Sequence, residues 1–228
     1  MRELSARFAG STGLGPRGDV IAEMDWCVGD FMDCLKENGL PENTIVIFSS
    51  DNGPVLDDGY QDRAVELNRE HKPTGPLRGN KYSRYEGGIR IPFILSYPGT
   101  VNPGTTRALV SQVDLLNSFA SMLGAPQVDV DSQDQMDAFL GKDGFGRDEI
   151  YAEGTFQGKV LRQGKWLYIE PDGGRLIYYA ENVETANSLD PQLYNLDYDI
   201  GQRQNLAYRY PEKVAAMQKR IDEIKKNA

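Results

Sequence analysis

The segment Thr44-Ile45-Val46-Ile47-Phe48 runs unbroken into Ser49-Ser50-Asp51-Asn52-Gly53. A short continuous apolar run rich in β-branched residues suits a strand buried on both faces of a parallel sheet. Ahead of it, Val20, Met24, Cys27, Val28, Phe31 and Leu35 recur at helical spacing between Asp19 and Asn38, with Asp19 placed to cap the start and Gly39 and Pro41 to stop the helix. A helix followed by a buried strand with a polar tip is half of a doubly wound α/β unit, and such sheets do their chemistry beyond the carboxyl ends of the strands. Asp51 and Asn52 stand at that address.

Pro54 to Gly88 is a long polar stretch, expected to be a functional loop with one short helix near Asp62 to Leu67. Ile89 to Tyr97 returns to strand-like alternation, with Pro92 marking an edge or a bulge. Ser111-Gln112-Val113-Asp114 has the form of a capping box ahead of a helix through Leu115, Phe119 and Leu123 that stops at Gly124. After Ala125 the texture changes. Val128 to Gly146 is acidic, and Tyr151, Val160 to Ile169 and Leu176 to Tyr179 read as short strands of an antiparallel sheet. Hairpin corners are expected at Gly164-Lys165 and Asp172-Gly173-Gly174. Pro211 opens a closing helix with an apolar stripe of Val214, Met217, Ile221 and Ile224.

The chain of 228 residues carries a formal charge of −9, which disfavours adhesion to nucleic acid or anionic lipid. No stretch approaches the roughly 20 apolar residues that span a bilayer, and Met1 to Gly10 lack the apolar core of a signal peptide. Cys27 and Cys34 lie seven residues apart on one helix, too far for an unstrained bridge, and are expected to be buried thiols. His71 is the single histidine, which argues against a zinc site or a complete Ser-His-Asp triad.

Two segments carry chemistry. Asp51-Asn52-Gly53 reads either as a turn or as part of a divalent-cation site, because a carboxylate and an amide carbonyl are hard oxygen ligands. Two ligands fall short of the roughly 6 to 8 oxygens calcium takes. Leu77 to Gly88 packs Arg78, Lys81 and Arg84 into a glycine-rich loop. It reads either as a solvated charged loop or as a place where backbone and a lysine ammonium approach phosphate or sulfate. His71, in the approach to Lys81, is a candidate substrate-facing residue or a solvated loop residue. Arg78 and Arg84 are candidates for lining the path of an anionic substrate or for pairing with acids.

Taken in order, several blocks resemble the sulfatase family of arylsulfatase-type enzymes: Met24-Asp25-Trp26-Cys27-Val28-Gly29, Asn43 to Gly53, Gly75-Pro76-Leu77-Arg78-Gly79-Asn80-Lys81 and Tyr85 to Ile94. The resemblance continues through Tyr97-Pro98-Gly99, Val110 to Leu116 and Leu193-Tyr194-Asn195-Leu196, nearly the whole chain. It implies a calcium-dependent hydrolase of sulfate esters, with Asp51 and Asn52 as metal ligands and Lys81 as the catalytic-site lysine that holds the sulfate. His71 and Arg78 are the further substrate-binding candidates. The family's nucleophile is a formylglycine made within a Cys/Ser-x-Pro/Ala-x-Arg motif. That motif is absent here: Cys27 is followed by Val-Gly-Asp and Cys34 by Leu-Lys-Glu. The family's early Asp pair and its other active-site Lys and His residues belong to an upstream region.

The fold class expected is α/β: an alkaline-phosphatase/sulfatase-like partial parallel sheet with flanking helices, then a small antiparallel sheet and a C-terminal helix. Residues 1–124 are expected to be the second part of the catalytic domain and 125–228 a C-terminal α+β subdomain. The calcium site is incomplete in these residues and the formylglycine motif is missing, and for want of that nucleophile the chain is expected to be inactive alone, as the C-terminal portion of a sulfatase whose whole form acts on a sulfated small molecule or glycan. The alternatives are a non-catalytic remnant that binds an anion or a partner, and a relative that hydrolyses phosphoric or phosphonic esters. The lone histidine weighs against the last. Full-length relatives are commonly periplasmic or secreted. A strand lacking its neighbours is expected to leave apolar sheet surface exposed and to drive self-association.

Overall fold

The computed structural model describes residues 5–128, 130–154 and 158–227. Helix α1 spans Gly15–Glu37. It begins before Asp19, so Asp19 does not cap it. Instead the buried Asp19 carboxylate accepts hydrogen bonds from the backbone N–H of Gly10 (2.8 Å) and Thr12 (3.0 Å) and from the Thr12 hydroxyl (2.7 Å), pinning the preceding loop onto the helix. The helix buries little else. Ile21, Met24, Trp26 and Phe31 are exposed, and so are both free thiols, Cys27 and Cys34, contrary to the burial expected from their spacing. An apolar stripe specifies which face seeks a partner, not whether one is present.

Strand β1 (Val46–Ser49) pairs with β2 (Phe93–Ser96), and the pairing is antiparallel, Val46 opposite Ser96 and Ser49 opposite Phe93. This corrects the parallel arrangement expected from the apolar run: among the described residues no parallel sheet forms, and β1 is half-buried along its length. An apolar run reports burial and carries no information about the direction of the neighbouring strand. Between the two strands lie the short helices α2 (Ala64–Leu67) and α3 (Glu86–Ile89), so Ile89 ends a helical turn rather than opening a strand. Pro92 precedes β2, and its carbonyl accepts the Ser49 hydroxyl at 2.8 Å.

The expected capping box forms. Asp114 Oδ2 accepts the Ser111 N–H at 3.0 Å, and the Ser111 side chain accepts the Asp114 N–H ahead of α4 (Leu115–Met122). The helix ends where Gly124 takes a φ of +66°, a value that costs glycine little. A further turn, α5 (Met136–Phe139), lies in the acidic stretch, and its Phe139 stacks on Phe93 of β2 with ring centroids 5.1 Å apart.

Strands β3 (Glu149–Glu153), β4 (Lys159–Gln163) and β5 (Trp166–Ile169) form an antiparallel meander. The β4–β5 corner at Gly164 is the expected one. The corner expected at Asp172-Gly173-Gly174 does not join paired strands. The chain leaves the sheet there, makes the ribbon of β6 (Ile177–Tyr178) and β7 (Val183–Glu184), and returns as β8 (Gln192–Asn195) beside β5.

Side chains alternate across this sheet, as the two-residue period of a strand requires. Leu161, Tyr168 and Leu193 face Met217 and Ile221 of α6 (Pro211–Asn227), with Val214 and Ile224 packed beside them, so the predicted stripe is the buried one. Val160, Leu167, Ile169 and Tyr194 face the other way and enclose Tyr85. One face of the sheet therefore buries the closing helix, and the opposite face grips the cation-rich loop.

Candidate active site

The tip of β1 and the cation-rich loop are joined through their backbones. Gly53 N–H donates to the Gly88 carbonyl (2.9 Å) and Lys81 N–H to the Pro54 carbonyl (2.8 Å), while within the loop Gly87 N–H donates to the Arg78 carbonyl (2.7 Å). The approach is so close that a Cβ on Gly53 would overlap the Gly87 carbonyl, and one on Gly87 would overlap the carbonyls of Arg78 and Gly79. Glycine is required at both positions because backbone fills the space a side chain would need.

This junction brings Asp51, Asn52 and Lys81 to one cavity of about 360 Å³, whose lining also includes Tyr82, Ser83 and Glu153. Tyr82 has a φ of +76°, an uncommon value for a bulky residue. Strain of this kind concentrates where surrounding structure holds a functional geometry in place.

Asn52 donates its side-chain N–H to the Gly53 carbonyl at 2.8 Å, which fixes the amide plane. Asp51 is exposed, and Ser50 donates to its Oδ1 at 3.4 Å. Lys81 makes no ion pair among the described residues, and its Nζ lies 5.4 Å from the centre of the Tyr82 ring. Two neighbouring hard oxygen donors suit calcium or magnesium, but they fill only part of a coordination shell. No group of three or more His, Cys, Asp or Glu residues arranged to hold a metal ion occurs among the described residues.

Neither Arg78 nor His71 lines this cavity. Arg78 forks onto the Glu184 carboxylate, donates to the Gln202 carbonyl at 2.6 Å, and lies 4.0 Å from the centre of the Tyr85 ring. Burial alone would lower its pKa, but the hydrogen bond with Glu184 leaves it raised. His71 is exposed in a turn in which its N–H donates to the Asn68 carbonyl at 3.0 Å.

Arg84 is only 1% exposed. It donates to the carbonyls of Glu170 (2.9 Å) and Ala186 (3.2 Å) and to Asn187 Oδ1 (2.7 Å), while its Nε has no partner among the described residues. Burial lowers its pKa, with Asp172 at 3.9 Å opposing that effect. It acts as a tie between the loop and the C-terminal sheet. Glu153 was not legible as a site residue, because it reaches the cavity only through pairings distant in sequence. Tyr82 and Ser83 stand in the Leu77 to Gly88 loop, between two of the motif blocks, and carried no separate signal.

With this geometry in hand, the comparisons identify the class. Residues 6–125 match the family model for sulfatases, and the chain belongs to the sulfatase family. It is 43% identical over 222 residues to an N-acetylgalactosamine-6-O-sulfatase of Bacteroides thetaiotaomicron, covering 96% of this chain and 43% of that protein. Human arylsulfatase A is 33% identical over 214 residues, covering 87% of this chain and 40% of the relative. A solved structure from work on the metabolism of multiple glycosaminoglycans by Bacteroides thetaiotaomicron superposes with a TM-score of 0.94 at 43% identity, covering 97% of this chain and 47% of that one. The fold is thus alkaline-phosphatase/sulfatase-like. The chain spans less than half the length of these relatives.

Proposed function

We propose that this chain supplies the anion-gripping portion of a sulfatase site that acts on a sulfate ester of an amino sugar, with 6-O-sulfated N-acetylgalactosamine as the leading substrate class. The observation that carries the reading is the convergence of Asp51, Asn52 and Lys81 on one cavity from two segments well separated in sequence. The substrate class is suggested by the 43% identical relative and its printed activity.

In this reading the Lys81 ammonium binds a sulfate oxygen as a compact point charge, and the backbone bond to Pro54 fixes where its side chain is rooted. Asp51 and Asn52 contribute two oxygens to a calcium ion, with further ligands coming from outside this pair. Calcium, when bound, neutralises the sulfate oxygens and so favours attack at sulfur. Tyr82 and Ser83 shape the wall beside Lys81. The division near residue 124 separates the part that carries these groups from the sheet that buttresses them.

Hydrolysis also needs a nucleophile, and no Cys/Ser-x-Pro/Ala-x-Arg motif occurs in these residues. Binding without turnover is therefore expected of the chain alone. Calorimetric titration with inorganic sulfate in calcium buffer tests the proposal. Lys81→Ala is expected to weaken binding by about tenfold or more, the worth of a charge-assisted hydrogen bond. Equal affinity in the two proteins would remove Lys81 from the site. Aryl-sulfate hydrolysis by the purified chain, lost in Lys81→Ala, would contradict the expected lack of turnover.

A further inference from the structure

The cavity has a second wall. Glu153, at the end of β3, lines it together with Ala152 and Gly154, opposite in charge to Lys81. The end of the β3–β4 hairpin packs on the Arg84 side chain of the loop. Gly154 N–H donates to the Gly158 carbonyl at 3.0 Å, and a Cβ on either glycine would overlap the Arg84 side chain. Arg84 thus sets how closely this hairpin end approaches the Lys81 loop.

We propose that Glu153 is a specificity-determining residue of this cavity, selecting sulfate esters whose neighbouring groups donate hydrogen bonds and rejecting those with a second anionic group nearby. The inference rests on the sulfate-binding reading of Lys81. Glu153 Oε1 is paired with Lys159 Nζ, while Oε2 accepts no hydrogen bond among the described residues. An ionised carboxylate only accepts hydrogen bonds, so it matches sugar hydroxyls and an acetamido N–H. A second sulfate on the same ring would bring like charges together in a partly enclosed space, which disfavours that ligand without adding anything to the preferred one. The division of labour is spatial: Lys81 recognises the ester common to all substrates, and Glu153 reads what stands beside it.

The test compares binding of N-acetylgalactosamine 6-sulfate and N-acetylgalactosamine 4,6-disulfate to the chain in calcium buffer. The unaltered protein is expected to prefer the monosulfate by about tenfold. Glu153→Gln is expected to bring the two affinities within about twofold of each other. Lys159→Met, which frees the carboxylate from its cation, is expected to widen the preference. Because Glu153 and Lys159 both lie on the hairpin, opposite shifts from the two variants separate an electrostatic effect from local unfolding. A preference unchanged in both variants, with binding still dependent on Lys81, would overturn the role of Glu153 alone. Binding of neither sugar, or binding indifferent to Lys81→Ala, would overturn the sulfate-site reading and this inference with it.

Discussion

The backbone N–H of Lys81 donates to the carbonyl of Pro54 at 2.8 Å. That single bond roots the loop lysine beside the strand tip that carries Asp51 and Asn52, and the glycines around it let the two backbones meet.

Gly53→Ala should break this arrangement, because the new methyl group would overlap the Gly87 carbonyl and backbone cannot swing aside as a flexible side chain can. Overpacking of this kind costs about 1–3 kcal/mol. Denaturant unfolding should report that loss, and sulfate affinity should fall with it. Unchanged values for both would show that the two loops can separate freely.

Arg84→Met keeps much of the side-chain volume but removes the donors to Glu170, Ala186 and Asn187. Unsatisfied buried acceptors cost about 1–3 kcal/mol each, partly offset here by releasing a desolvated charge. A net loss of about 3 kcal/mol is expected in urea unfolding. Arg84→Lys should not restore it, since one ammonium cannot span acceptors arranged for a planar fork.

Acid should loosen the segment before α1. The Asp19 carboxylate is held below its ordinary pKa, chiefly by the Thr12 hydroxyl and then by the backbone N–H groups of Thr12 and Gly10. A depressed carboxylate pKa contributes stability that is present above the unfolded value of about 3.9 and is lost as pH falls through the folded value. The Gly10 and Thr12 amides should therefore keep their protection from hydrogen exchange at neutral pH and lose it below about pH 4. Asp19→Ala should abolish that protection at every pH.

The β1–β2 pair leaves apolar surface uncovered. Ile94 of β2 is 61% exposed and Leu116 of α4 57%, and each of the two strands has one partner among the described residues. Exposed strand edges and apolar patches recruit further chains. Sedimentation should detect self-association of the unaltered chain, and Ile94→Lys combined with Leu116→Lys should shift it toward monomer. A compact monomer without the substitutions would count against this expectation.

What the sequence made legible was local. The Ser111/Asp114 capping box, the Gly164 corner and the stripe of α6 depend on residues within a few positions of one another, and each forms where its pattern stands. The convergence of Asp51, Asn52 and Lys81 was anticipated only through the resemblance of ordered motif blocks, because no short spacing encodes it. The run Thr44 to Phe48 points to a parallel sheet, whereas β1 pairs antiparallel with β2, since a β-branched run specifies burial without specifying a partner. For Arg78 and Arg84 composition left open whether they line a substrate path or pair with acids, and Arg78 pairs with Glu184. Their acceptors, Glu184 and Asn187 among them, lie about a hundred residues further along, where no local pattern could indicate them. Glu153 escaped notice for the same reason.

An Asp51–Asn52 pair and a Lys81 that grip one anion beside one hard cation make sulfate and calcium binding thermodynamically linked. Sulfate affinity would be measured by calorimetry with and without calcium, in the unaltered chain and in Asp51→Ala. Calcium is expected to tighten sulfate binding, sulfate to tighten calcium binding by the same factor, and Asp51→Ala to remove both effects. Sulfate affinity indifferent to calcium in the unaltered chain would contradict that linkage.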